Sequence, residues 1–394
     1  MVTTRFVLTD ADANVHLERF ELRPSAELTL SGASDWNVTA YALHGGQSEG
    51  VQVVEVGNGP LTLCVLPTRG MGVWKGRYRD LALGWKSPVP RPVHPAYVNL
   101  HDRNGLGWLN GFNELMCRCG LAFNGPPGQD NGAAITLHGR IANLPAHFVE
   151  VAIDTDGPGT IELKGIVDET SMFGPCFRLT STLRMQAGSP VAHFIDEVTN
   201  LGGSPAELSL LYHINIGRPF LDDGGENHIA YRAAAPRDPR AAEGVATQHC
   251  YAGPTVGFAE QAYFYQPVAG ACGWTTALLR NQAATAGFAV HYQTLQLPYL
   301  TVWKNTQSEA EGYVTGIEPG VNLPNFRAYE RAQGRLPRLE PGQTYRAEQM
   351  WEIADTAANV ARLTESVRMA QRFATPVVYA TPQPGWSPAG ESER

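Results

Sequence analysis

Glycine and proline interrupt this chain more often than any long regular element tolerates. The 41 glycines and 28 prolines take 69 of 394 positions, a turn signal about every six residues, which excludes a helical bundle or a coiled coil. The density stays below that of a low-complexity disordered chain, and no Gly-X-Y period appears, so a collagen-like fold is excluded too. Hydrophobic residues make up 43% of the chain, enough to build a large core, because a chain of this length buries roughly three quarters of its unfolded surface. The expectation is a large, turn-rich, mostly β globular protein.

Charge and hydropathy narrow the function classes. The net charge is −8, with 38 acidic and 30 basic residues. Without a basic stripe, nucleic acid is not an expected partner. No run of eighteen apolar residues offers a membrane span. Asp10, Asp12, Glu18 and Glu21 interrupt the stretch where a signal peptide needs an apolar core, so a cytoplasmic protein is expected. Cys64, Cys117, Cys119, Cys176, Cys250 and Cys272 are scattered and are expected as free thiols. Cys117 and Cys119 fall one residue short of C-x-x-C and have no second pair to complete a zinc site.

Short apolar runs read as strands at Val51–Val56, Leu61–Leu66, Phe148–Asp154, Thr160–Val167, Phe177–Met185, Val191–Thr199, Glu207–Ile214, Ala286–Gln293 and Tyr299–Trp303. In Thr160–Val167, Ile161, Leu163 and Gly165 share one face. Strand follows strand without helical repeats between them, which favours consecutive antiparallel strands packed as two sheets over a parallel α/β sheet. One helix is expected near the end, capped by Asp355 or Thr356, with Val360, Leu363, Val367, Ala370 and Phe373 on one face and Pro376 beyond its finish. Two long irregular regions, 86–112 and 218–250, are expected to be functional. A single domain spans 1–380, its first ~45 residues as peripheral strands, followed by a Pro/Gly-rich tail, 381–394, expected to be mobile.

No nucleotide-binding loop, nucleophile elbow or zincin motif is present. What stands out is polar side chains set in apolar strands. If Thr136–Arg140 is extended, His138 and Arg140 share a face. His213 and Asn215 alternate with Tyr212, Ile214 and Ile216, which places both polar groups on one face. Glu318 ends an apolar run before Pro319, and partial desolvation there makes a carboxyl a general base. Trp303 and Lys304 end another run, pairing an aromatic face with an ammonium. An acid, a base and an array of hydrogen-bond donors are what opening a hemiacetal ring requires; metal, cofactor and nucleophile are not.

The order of these motifs resembles the aldose 1-epimerase, or galactose mutarotase-like, superfamily, and more closely its poorly characterised aldose 1-epimerase-like branch. The matching pieces are Leu66–Gly72 (LPTRGMG), Cys119-Gly120-Leu121 with Asn124-Gly125-Pro126, Leu137–Arg140 (LHGR), Tyr212–Gly217 (YHINIG) and Gly316–Pro319 (GIEP). The resemblance implies a β-supersandwich with an open cleft for a sugar, and a mutarotase reaction. Glu318 would take the proton of the C1 hydroxyl, His213 would protonate the ring oxygen, and His138 would hydrogen-bond near that oxygen. Arg69, Arg140, Asn215, Lys304, Trp303 and Glu114 are expected near the sugar hydroxyls. The chain departs from the branch at Asn113–Arg118, where Glu114 and Arg118 bring charges toward the expected cleft. The hydroxyl-contacting Asp of galactose mutarotases has no clear counterpart, with Asp222 and Asp223 only in the right region. Two other readings stay open. One is a different isomerase, epimerase or lyase, with a metal on His138, His213, Glu114 and Glu318; the other is a non-catalytic sugar-binding protein. The expected partner is a small sugar, with the protein a monomer or homo-oligomer.

Overall fold

The computed structural model describes residues 3–270 and 272–391. Two large, mostly antiparallel sheets dominate it, one of ten strands and one of thirteen. Leu61–Leu66 and Phe148–Asp154 form at the residues expected, and Thr160–Thr170 pairs with Cys176–Gln186 as a long hairpin. Between the sheets lies one continuous apolar core that includes Val56, Leu63, Ile161, Leu179, Leu210, Tyr212 and Ile317. The alternation of period two explains this layer, since every second side chain of a strand points into it.

Five strands of the larger sheet position the site. They are β1 (Met116–Leu121), β2 (Ser209–Ile216), β3 (Gln261–Pro267), β4 (Tyr299–Asn305) and β5 (Val314–Gly320). They lie side by side in the order β3-β4-β5-β2-β1, each antiparallel to its neighbour. Leu210, Tyr212 and Ile214 of β2 face the inter-sheet core. On the opposite face, Cys117, Cys119 and Leu211 pack in a separate apolar cluster with Trp108 and Phe112. The region 86–112 folds over this outer face and roofs it.

One charged group crosses the core. Arg118 of β1 donates from Nε and Nη2 to Asp196 at 2.5 and 3.0 Å and from Nη2 to Ser181 at 2.8 Å, and Tyr212 Oη donates to the same carboxylate at 2.8 Å. Both members of the ion pair are fully buried. Breaking such a pair costs about 3–5 kcal/mol, because the surviving charge is left in the core.

The helix α1 (Ala357–Gln371) begins where expected, with the Thr356 side chain accepting from the Asn359 amide. Val360, Leu363 and Val367 are buried against Leu278, Ala289 and Ala354. Phe373 lies past the last turn and is 67% exposed, so it does not extend the buried stripe. The region 218–250 is less irregular than its composition implies, for it contains strands Glu226–Ile229 and Tyr231–Pro236. The tail, expected to be mobile, is held as far as it is described. Ser387 Oγ donates to the Arg237 carbonyl, Asn325 Nδ2 to the Trp386 carbonyl and Tyr329 Oη to Glu391. All six cysteines are free.

Candidate active site

On the outer face of β2, β4 and β5 lies a cavity of about 500 Å³. Its floor carries His213, Glu318, Thr301 and Trp303, and its walls carry Trp108, Phe112, His138 and Phe326. Register brings the floor together. Thr301 is opposite Glu318, while Trp303 and Asn215 are both opposite Gly316. Gly316 leaves a gap that larger residues would fill. A Cβ there would lie 2.3 Å from Glu318 Oε1 and 3.3 Å from His213 Cε1. The missing side chain is what lets the acid and the imidazole approach across adjacent strands.

His213 Nε2 lies 3.2 Å from Glu318 Oε1, with both side chains buried. The other ring nitrogen, Nδ1, is 2.7 Å from Asn215 Oδ1. The Asn215 amide nitrogen donates to the carbonyls of Glu114 and His213 at 3.0 and 3.1 Å, which fixes which end of the amide faces the ring. An amide oxygen can only accept, so Nδ1 of His213 carries the proton and Nε2 presents its lone pair to Glu318. His138 is arranged in the same sense. Its Nδ1 is 2.9 Å from the Asn124 carbonyl, and its ring centre is 5.6 Å from that of His213.

Burial sets the protonation states. It pushes Glu318 well above the ordinary carboxyl range; nearby Glu260 adds to the rise and Arg237 opposes it. It lowers His213 to about 3, with His138 adding to the fall and the Asn215 hydrogen bond opposing it. The atoms crowding His138 lower it to about 4 against the pull of the Asn124 carbonyl. Burial thus favours the uncharged form of each group, a protonated carboxyl beside an imidazole whose Nε2 is unprotonated.

Aromatic rings enclose this pair. Phe112 meets His213 edge-on at 5.1 Å, Trp303 meets it at 5.5 Å, and Trp108 meets His138 at 4.7 Å. At the rim, Trp303 Nε1 donates to Glu260 at 2.6 Å, Arg237 donates to the other oxygen of Glu260 at 3.1 Å, and Arg237 Nε donates to Asp238 at 2.9 Å. Apolar ring faces beside fixed donors and acceptors suit a polyol, which has both kinds of surface.

Glu318, His213, His138 and Trp303 thus meet in one cavity, whereas the other residues expected there do not line it. Arg69 and Glu114 are fully buried and paired, Nε to Oε1 at 2.5 Å. The remaining Arg69 donors go to Asn143 and to the carbonyls of Val93 and Gly111. Arg69 therefore clamps the segment that carries Trp108 and Phe112. Arg118 points between the sheets. Neither charge in Asn113–Arg118 is open to a ligand. Lys304 faces away from Trp303, as alternation requires, and its ammonium donates to the Thr247 and Cys250 carbonyls, with burial lowering it to about 8. Residues 136–140 form a turn rather than an extended segment, with His138 and Gly139 at φ of 57° and 72°. That turn aims His138 into the cavity and leaves Arg140 exposed. Asn215 acts on His213, not on the cavity. Asp222 and Asp223 accept backbone amides of Gln282 and Gly253.

The residues that motif reading passed over are Trp108 and Phe112 in 86–112, Arg237 and Asp238 in 218–250, and Glu260. Four of these five sit in the two long regions whose length alone marked them. Among the described residues, no group of three or more His, Cys, Asp or Glu is placed to hold a metal ion, and no helix is long and apolar enough to cross a membrane.

Comparison with known proteins agrees with the fold. The family model described as domain of unknown function DUF4432 matches residues 48–353. A Klebsiella pneumoniae protein named a "putative aldose 1-epimerase" is 33% identical, with 97% of this chain and 99% of that one covered and a TM-score of 0.93. A galactose mutarotase-like protein from Clostridium acetobutylicum is 13% identical over 79% of this chain and 98% of its own, with a TM-score of 0.54. The galactose 1-epimerase of Lactobacillus acidophilus is 11% identical over 82% and 100%, with a TM-score of 0.51. At those two lower identities the likeness concerns the fold alone. The search of curated proteins found no match.

Proposed function

The chain belongs to the DUF4432 family and has the galactose mutarotase-like fold, and we propose that it is an aldose 1-epimerase, interconverting the anomers of a sugar by acid/base ring opening. One observation carries this reading. A buried carboxyl and a buried imidazole lie 3.2 Å apart at the floor of an aromatic-walled cavity. The name borne by the Klebsiella pneumoniae relative points the same way.

The reaction follows from the proton's two resting places. In the empty site burial keeps both groups neutral, with the proton on Glu318. Sugar hydroxyls entering the cavity supply hydrogen bonds that the pair lacks, so the charged arrangement, carboxylate and imidazolium, becomes accessible. Glu318 then takes the proton from the C1 hydroxyl while His213 gives its Nε2 proton to the ring oxygen. The bond from C1 to that oxygen breaks and the hydroxyl becomes a carbonyl. Rotation about C1–C2 and the reverse transfers close the ring as the other anomer, leaving the pair's one proton on His213, from which it returns to Glu318. Asn215 holds the imidazole, and Nε2 of His138 accepts from a hydroxyl near the ring oxygen.

Anomer exchange measured by magnetisation-transfer NMR on a panel of aldoses tests the reading. Acceleration of at least one aldose above the buffer rate is expected. A flat result over the whole panel would move the function to another reaction of the same acid/base pair.

A further inference from the structure

We propose that Arg237, Asp238 and Glu260 form the specificity element of this site, and that it selects uncharged sugars by rejecting phosphorylated and carboxylated ones. The inference rests on the sugar-binding reading above and adds the charge of the ligand. An arginine lining a sugar cavity ordinarily invites an anion, because its donors match phosphate and carboxylate. Here two of its nitrogens, Nε and Nη2, already face carboxylates of this protein. Arg237 Nε is 2.9 Å from Asp238 and Nη2 is 3.1 Å from Glu260, and all three residues line the cavity.

The charge balance decides the sign. Two carboxylates against one guanidinium leave this cluster at −1. The Glu318–His213 pair adds no charge in the form that burial favours, with the carboxyl protonated and the imidazole neutral. His138 is neutral. Among the described residues no lysine lines the cavity. An anionic sugar would therefore enter a site of its own sign, where the one cation lining the cavity among the described residues is already outnumbered by two carboxylates. A neutral sugar keeps both kinds of partner, with Glu260 and Asp238 accepting from hydroxyls. Trp303 is tied to the same cluster through its indole N–H on Glu260 at 2.6 Å. That bond fixes the ring against which an apolar sugar face would stack.

The test reads binding rather than turnover. The whole protein is titrated calorimetrically with D-glucose, D-galactose and D-mannose, each beside its 6-phosphate and its uronic acid. Each neutral sugar that binds is expected to do so at least about tenfold more tightly than its anionic forms, with the gap shrinking as salt is raised. Asp238→Asn, which retains an oxygen to cap the following turn, and Glu260→Gln should each narrow the gap. If one variant misfolds, the other and the salt series on the unmodified protein still decide. The proposal is overturned if an anionic form binds as tightly as its neutral partner, if no neutral sugar binds, or if neither variant moves the gap. Neutral binding without accelerated anomer exchange would leave this proposal standing and defeat the ring-opening reading.

Discussion

Asn215 accepts a hydrogen bond from His213 at 2.7 Å while its own amide nitrogen is held by two backbone carbonyls. The imidazole is thereby locked with its proton on Nδ1 and its lone pair on Nε2, facing Glu318. A neutral histidine in the opposite tautomer would present N–H to the acid and could not receive its proton. Asn215→Leu should therefore lower kcat about 100-fold or more with a smaller change in KM. Nitrogen-15 NMR of the imidazole should show mixed tautomers in the variant and the Nδ1–H form alone in the unmodified protein. An unchanged tautomer with unchanged kcat would remove Asn215 from the mechanism.

Gly316 supplies the space in which the pair meets. Ala in its place would put a methyl group 2.3 Å from Glu318 Oε1, and the movable partner is that carboxyl. Gly316→Ala should cut activity at least about tenfold, because sub-ångström placement of acid and base governs proton transfer. Its thermal unfolding midpoint should move far less than that of a core cavity variant. Full activity in Gly316→Ala would show that the acid reaches its working position by another route.

The sequence showed much of the frame and only part of the site. Period-two alternation was sufficient for Leu61–Leu66 and Phe148–Asp154, and it placed His213 with Asn215 on one face. It could not say whether a charge is already paired. Arg69 and Glu114 sit beside recognisable motifs, yet they satisfy each other 45 residues apart in the chain, and only the folded structure brings them together. Arg140 was misplaced because a left-handed turn at His138 and Gly139 broke the assumed extension. Arg237 and Glu260 lie at opposite ends of one 237–260 connection, and only the antiparallel pairing of the strands that flank it brings them together at the cavity rim.

The clamp made by Arg69 gives a third prediction. Its guanidinium holds Glu114, Asn143 and two loop carbonyls with no solvent to replace them. Glu114→Gln should destabilise the protein by about 3 kcal/mol or more, because Arg69 keeps its charge in a buried site. The loss is expected in urea unfolding, together with a rise in the fluorescence accessibility of Trp108. A variant as stable as the parent would show that the pair is dispensable to the fold.

Buried His213 makes stability depend on pH in a definite direction. Its value in the fold is about 3, against about 6.5 in the unfolded chain, so between those limits the unfolded chain binds more protons. The stability from keeping it neutral is fully present above about pH 6.5 and is lost progressively as pH falls toward 3. At pH 5 the loss from this residue is about 2 kcal/mol. His213→Gln should flatten the fall in urea midpoint between pH 7 and pH 5. The same slope in parent and variant would mean that His213 is protonated in the fold.

The central claim is that Glu318 and His213 pass one proton between sugar oxygens. Glu318→Gln removes that proton's carboxyl while keeping the shape of the side chain. On an aldose that the parent protein turns over, NMR anomer exchange should fall to the buffer rate in Glu318→Gln, while calorimetry still detects the sugar binding within a few-fold of the parent affinity. Exchange at the parent rate in that variant would contradict the account.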